Sequence, residues 1–244
     1  MDNVVEVIGL WKLYGKIEAL RNVSLDIPEG SIYLLMGPNG SGKSTLLKIL
    51  TGLVKPTKGT VKVYGMDPWN HKGELFRRTG AMFEDHNPPG WVSGEEYLIY
   101  KAELKRLRNP VDAALEAAEQ VGITSFWRQP ISTYSSGMWR KLALADALIG
   151  DPDLLILDEP AATLDKESRQ KLKTIIQDRR VKGKTTLIST HVITELEDIA
   201  THIAIIHMGE ILLSGDIQTI INEIGIEAGE KPTLWKIYFD TITK

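Results

Sequence analysis

No cysteine occurs among the 244 residues, which excludes disulfides, thiolate metal sites and cysteine nucleophiles and fits a reducing compartment. A surplus of basic charge is also missing. The 29 Lys and Arg against 32 Asp and Glu leave a net charge of −3, without the positive footprint that contact with a phosphate backbone requires, so no nucleic acid partner is expected. Long apolar runs are absent too. No stretch reaches the roughly 18–20 uncharged apolar residues that cross a bilayer, and Asp2 and Glu6 stand where a signal peptide has a basic start. Any membrane-spanning part of the machinery is therefore expected in another chain. What remains, 43% hydrophobic and 25% charged, is the composition of an ordinary globular protein, long enough for one large domain or a core with an insert.

The most specific local feature is Gly37-Pro38-Asn39-Gly40-Ser41-Gly42-Lys43-Ser44, followed by Thr45. It is a complete G-x-x-x-x-G-K-[ST] run between an apolar stretch at 32–36 and a helical pattern at 45–50, the strand–loop–helix context of a phosphate-binding loop. Glycines leave room for backbone N–H groups to point inward at phosphate oxygens, and the helix adds the positive end of its dipole. In such a loop Lys43 bridges the β- and γ-phosphates and Ser44 ligates Mg²⁺. A second element fits the first: residues 154–157 are four apolar residues ending in Asp158 and Glu159, a buried parallel strand opening onto a ligand. Asp158 is placed to hold Mg²⁺, and Glu159 to polarise water as a general base.

Around these motifs the chain divides into regions. Residues 4–13, 23–27 and 60–64 read as strands of an N-terminal β layer. From 94 to 150 helical periodicity dominates, over 95–108, 111–122 and 137–149, giving an all-α insert. The four basic residues within 101–108 read as a solvated helix face, with Leu98, Leu104 and Leu107 inward. An α/β rhythm then resumes, with a helix at 166–180, a strand at 185–190, a helix at 193–200, and strands at 203–207 and 211–213 about the turn Met208-Gly209-Glu210. His71, His86, His202 and His207 sit in no motif and read as structural or solvated. The tail, 221–244, contains a loop at 228–232 and a strand-like alternation at 234–242.

Tyr134-Ser135-Ser136-Gly137-Met138 lies 20 residues before Asp158 and precedes a helical segment; it resembles the signature sequence of ATP-binding cassette (ABC) proteins. Ala161-Ala162-Thr163-Leu164-Asp165 resembles the D-loop of that family, His191 its switch histidine, and Tyr14 the aromatic that stacks on adenine. The resemblance covers roughly residues 1–220. It implies an α/β P-loop NTPase (RecA-like) core with an N-terminal antiparallel β layer, built from 1–86 and 151–220, and a helical subdomain at 87–150 carrying the signature. It further implies ATP and Mg²⁺ as cofactors, and a head-to-tail dimer in which Ser135, Ser136, Gly137 and Asp165 meet the nucleotide of a second copy. His191 would lie near the transferring phosphate.

Two departures are visible. Glu84 stands where the family has a glutamine, and brings only oxygen ligands and an added negative charge to the metal. In the signature, Ser136 replaces the first glycine and Met138 the glutamine. The leading expectation is a peripheral subunit on the cytoplasmic face of the membrane that drives a separate transporter, in the style of prokaryotic exporters. It would meet that partner through residues 85–93, with Trp91 either as the anchor or as a cap on the helical insert's own core. A soluble ATP-driven clamp, a non-hydrolysing module and a small-molecule kinase are the alternatives.

Overall fold

This computed structural model describes residues 2–85, 88–162, 164–191, 196–224 and 241. His86, Thr163, residues 193–195 of the expected helix, and the tail beyond 224 apart from residue 241 lie outside the described residues. Residues 196–199, which that helix would have included, form turns.

The N-terminal layer is antiparallel, as expected. β1 (Asn3–Tyr14) and β2 (Ile17–Pro28) form a hairpin turning on Gly15, whose φ of +60° suits a residue without Cβ, and β4 (Lys58–Val63) pairs with the other edge of β1. Val5, Val7 and Leu10 of β1 point into the core, together with Val23, Leu25 and Ile27 of β2, so the layer presents one apolar face to the main sheet.

That main sheet has the order β5-β6-β7-β3-β8-β9. β3 (Ile32–Met36), β5 (Thr79–Met82), β6 (Leu154–Asp158), β7 (Thr185–Thr190) and β8 (His202–His207) run parallel, and β9 (Glu210–Asp216) returns antiparallel along the edge. β3, β6 and β7 are buried along their whole length, which is why they read as continuous apolar runs rather than alternating ones. One face of the sheet packs on α1 (Lys43–Leu50) and the β layer, and the other on α5 (Ser136–Leu148) and α6 (Lys166–Val181). α7 (Ile217–Ile224) closes that second core with Ile217 and Ile220, and its helix runs across position 220.

Besides α7, the elements without a counterpart in the sequence reading include α2 (Lys72–Arg78) and β5. α2 spans only seven residues and buries only Leu75, so it carries no helical period. β5 is Thr-Gly-Ala-Met, which lacks the β-branched run of a strand. Packing imposes it instead: a Cβ on Gly80 would stand 1.7 Å from the Ala147 carbonyl oxygen of α5, so only glycine lets that helix lie against the strand.

The helical subdomain consists of α3 (Gly94–Leu104), α4 (Pro110–Val121) and α5, which pack on one another. α3 begins with a capping box between Ser93 and Glu96. It ends four residues earlier than the leucine spacing suggests, and the basic segment changes character as a result. Arg106 takes φ +58°, with its N–H on the Glu103 carbonyl and the Leu107 N–H on the Ala102 carbonyl, a Schellman closure that turns the chain. Leu104 is left 47% exposed, while Lys105 is 3% exposed. The solvated-face reading is therefore corrected for Lys101 and Lys105, while Arg106 and Arg108 are exposed. Lys105 Nζ donates to the Thr79 and Ile149 carbonyls at 3.3 and 3.0 Å. Lys101 pairs with the buried Asp146 at 3.1 Å, and the Tyr97 hydroxyl donates to the same carboxylate at 2.8 Å.

Burial lowers the Lys105 pKa to about 8; Asp146 opposes the shift, and Lys101 and Arg179 reinforce it. Below pH 8 both folded and unfolded chains carry the proton, and the folded state bears the cost of desolvating it. Between pH 8 and the unfolded value of about 10.4 the unfolded chain binds more protons, so this group's contribution makes stability rise with pH. Replacing Lys105 with Met should remove a rise of up to about 3 kcal/mol across that window, seen as a flatter pH dependence of urea unfolding than in the parent chain. Parallel profiles for the two proteins would contradict this account of Lys105.

Candidate functional site

The C-terminal ends of β3, β6 and β7 lie side by side: Met36 pairs in register with Thr190, and Asp158 with Ser189. β3 is followed at once by the 37–42 loop and α1, β6 by Glu159, and β7 by His191. This crevice beyond the carboxyl ends of parallel strands is where open α/β sheets bind ligands.

The loop is held by close backbone approach. A Cβ on Gly37 would stand 2.2 Å from the Ile206 carbonyl oxygen of β8, and one on Gly42, at φ +108°, 2.6 Å from the Ala19 carbonyl oxygen of β2. Gly40 is also left-handed, at φ +78°. Pro38 is half-buried and Asn39 exposed. Lys43, 6% exposed, turns inward: its ammonium donates to the Gly37 and Pro38 carbonyls at 2.8 and 3.2 Å and lies 3.5 Å from Glu159 Oε1. Ser44 is exposed on the first turn of α1 and Thr45 half-buried.

Glu159 joins two partners from different elements, Lys43 at the start of α1 and His191 just after β7. One carboxylate oxygen faces Lys43, and the other lies 2.9 Å from His191 Nδ1. Its backbone is left-handed at φ +50°, uncommon for a non-glycine residue and a conformation that surrounding contacts must enforce. Ser189 provides that support: its carbonyl and hydroxyl oxygens accept from the Glu159 N–H at 3.2 and 3.1 Å. The same hydroxyl donates to Asp158, whose side chain is 2% exposed. Lys43, Glu159 and His191 thus lie together, and Ser189, which the sequence reading did not single out, positions both acids. Its only advance signal was a polar Ser-Thr pair ending a buried strand.

A second contributor, whose part in the site the sequence reading did not give, is the turn at Gly209. Its N–H donates to the Ser41 carbonyl at 3.0 Å, and its carbonyl accepts from the Arg21 N–H at 2.7 Å, so the β8–β9 turn ties the loop to β2. Ser41 is itself buried.

The remaining expected residues stand apart from this cluster. Tyr14 is 46% exposed at the tip of the β1–β2 hairpin, with the Lys12 ammonium 4.7 Å from its ring centroid. Glu84 is exposed just beyond β5, on the strand next to the one that ends in Asp158. Ser135 caps α5 by accepting from the Met138 N–H at 3.3 Å, with Ser136 exposed and Gly137 half-buried in the first turn. Asp165 caps α6 by accepting from the Ser168 N–H at 2.7 Å, a bond that, with the Ser168 side chain, holds its pKa below the usual carboxylate range. The buried Arg140 of α5 donates to the Ala162 carbonyl at 3.2 Å, which fixes the signature helix to the 161–165 segment.

The family described as ABC transporter matches residues 20–162, more than half of the chain. This chain belongs to the ABC transporter family. It is similar to the lantibiotic transport ATP-binding protein SrtF of Streptococcus pyogenes, 37% identical over 86% of this chain and 90% of that one. It is also similar to the bacitracin transport ATP-binding protein BcrA of Bacillus licheniformis, 33% identical over 87% and 69%. Among solved structures, the dimeric post-hydrolysis state of an ATP-binding cassette bound to ADP and Pi aligns with a TM-score of 0.77 at 28% identity, over 87% of this chain and 98% of that one. The ABC cassette described here is accordingly an ATP-binding ATPase on a P-loop fold.

The cradle suits a nucleotide. Glycine is required where the loop backbone crowds Ile206 and Ala19, the inward ammonium of Lys43 now rests on carbonyl oxygens that phosphate oxygens can replace, and Ser44 and Asp158 are the hard oxygen donors that Mg²⁺ prefers. Gly209→Ala would put a Cβ at φ +81° and 3.0 Å from the Ala19 carbonyl oxygen. It should cost about 1–2 kcal/mol in thermal unfolding and weaken ATP binding, measured by titration calorimetry, although residue 209 touches no expected ligand atom. Unchanged ATP affinity would show that the turn does not brace the loop.

Proposed function

We propose that this cassette is the ATP-hydrolysing subunit of a membrane exporter, closing as a head-to-tail pair around two ATP-Mg²⁺ and driving a separate membrane-spanning chain from the cytoplasmic face. The observation that carries the hydrolytic part is the chain of contacts from Lys43 through Glu159 to His191 at the strand ends. Lys43 is positioned to exchange the Gly37 and Pro38 carbonyls for β- and γ-phosphate oxygens, cradled by residues 37–42 and Thr45. Glu159, relieved of Lys43, then accepts a proton from the attacking water. His191, held by Glu159, donates a hydrogen bond towards the transferring group. Ser44 and Asp158, with Glu84 as a further oxygen, would hold Mg²⁺, which neutralises phosphate charge. Tyr14 stacks on the base, and Ser135, Ser136, Gly137 and Asp165 serve the nucleotide of the second copy.

Several observations support the transport reading. SrtF and BcrA carry transport in their names, and among the described residues no helix is long and apolar enough to cross a membrane. Trp91 is 83% exposed, so it does not cap the helical core and is free to anchor a partner through residues 85–93.

Glu159→Gln should reduce ATP turnover by roughly 10²–10⁴-fold while ATP still induces a dimer in light-scattering chromatography. Turnover at the parent rate would remove Glu159 as the base and with it the hydrolytic scheme. Glu84→Gln should shift the Mg²⁺ concentration needed for half-maximal turnover, and an unchanged Mg²⁺ profile would place Glu84 outside the metal site.

A further inference from the structure

Tyr14, on which the base is proposed to stack, is 46% exposed at the tip of a hairpin, where a lone aromatic ring is free to change rotamer. A brace from Lys12 restrains it. The β1–β2 register slips on both sides of Lys12, between Leu10 and Lys12 and between Lys12 and Leu13, and such irregularities re-aim side chains. The Lys12 ammonium lies over the Tyr14 ring, 4.7 Å from its centroid, and is pinned there by donating to the Lys55 carbonyl at 2.8 Å. Neither partner neutralises it: a carbonyl oxygen and a π face carry no net charge, and among the described residues no carboxylate pairs with it.

The 55–57 segment that supplies the carbonyl is fastened to β1 twice more. The Leu13 N–H donates to the Thr57 hydroxyl at 3.0 Å, and the Thr57 N–H to the Trp11 carbonyl at 2.8 Å. Upstream, the Leu53 and Val54 N–H groups donate to the carbonyl of Lys48, in the last turn of α1, at 2.9 and 3.1 Å. The helix that opens with Lys43 therefore leads through residues 53–57 to the brace on Tyr14. A cation over a ring is attracted by the ring's quadrupole and occupies that face, which leaves the opposite face for an incoming base.

We propose that Lys12 is a positioning residue for the nucleotide base: held by the Lys55 carbonyl, it covers one face of Tyr14 and presents the other ready to stack. The inference rests on the stacking role proposed for Tyr14 and adds what orders the ring before nucleotide arrives. Pre-ordering removes the entropic cost of immobilising that side chain on binding. The benefit goes only to ligands that carry a base, because the ammonium is spent on the ring and on Lys55 rather than on phosphate.

Titration calorimetry of the full chain with Mg²⁺ tests this, using a non-hydrolysable ATP analogue and, as the probe without a base, inorganic tripolyphosphate. Lys12→Ala should weaken analogue binding roughly two- to tenfold and leave tripolyphosphate binding at the parent value, whereas Lys12→Arg, which keeps a cation for the ring, should retain most of the analogue affinity. In a Tyr14→Ala background Lys12→Ala should have no further effect, since the two residues act as one unit. Equal losses for analogue and tripolyphosphate would show that Lys12 acts on phosphate or through the fold, and would overturn the inference. So would additive losses in the double variant, or analogue binding unchanged by Lys12→Ala while Tyr14→Ala weakens it; both leave the stacking role in place. Analogue affinity unchanged by Tyr14→Ala would remove the stacking role itself, and this inference with it.

Discussion

The buried ammonium of Lys43 organises this molecule. A cation that is 6% exposed is tolerated only with partners that compensate its lost hydration, and here they come from three places: the loop's own carbonyls, Glu159 at the end of β6, and, through Glu159, His191 after β7. The geometry that allows this is set by the backbone of the loop itself. Gly37 and Gly42 press backbone to backbone against β8 and β2, and the Gly209 turn locks the loop from the other side. Here Glu159 and Lys43 neutralise each other; in the function proposed above, phosphate competes for Lys43 and frees Glu159.

The helical subdomain obeys a parallel logic. Lys105 and Lys101 are drawn inward between α3, α5 and β5, and their contacts bridge elements of both the core and the subdomain: Thr79 belongs to β5, while Ile149 and Asp146 belong to α5 and its end. Arg140 adds a second tie, between α5 and the 161–165 segment. α5 is common to these ties: its first turn carries Ser136 and Gly137, and its C-terminal part carries Asp146.

Much of the candidate site was legible because its residues form contiguous patterns. The glycine-spaced loop, the apolar run ending in Asp158 and Glu159, and a histidine directly after a strand each carry their own local signal. The buried strands β3, β6 and β7 were equally readable from uninterrupted apolar runs. Elements defined by packing rather than by pattern were not. β5 exists because Gly80 lets Ala147 approach, and no propensity scale reads that. The inward turn of Lys105 depends on Arg106 adopting a left-handed conformation, whereas leucine spacing alone continued the helix to 108 and placed the lysines in water. Ser189 and Gly209 act through hydrogen bonds to residues at least 30 and 160 positions away in sequence, and the local pattern, a polar strand end and a turn, does not reveal those partners.

The account stands or falls on whether the Lys43–Glu159–His191 cluster is the resting form of the nucleotide site. A crystal structure of the cassette with Mg²⁺ and a non-hydrolysable ATP analogue tests this directly. The prediction is that Lys43 leaves the Gly37 and Pro38 carbonyls for phosphate oxygens and Glu159 separates from it, while Ser189 keeps its bonds to Asp158 and to the Glu159 N–H. An analogue bound elsewhere, or bound at the loop with Lys43 still on Gly37, Pro38 and Glu159, would contradict it.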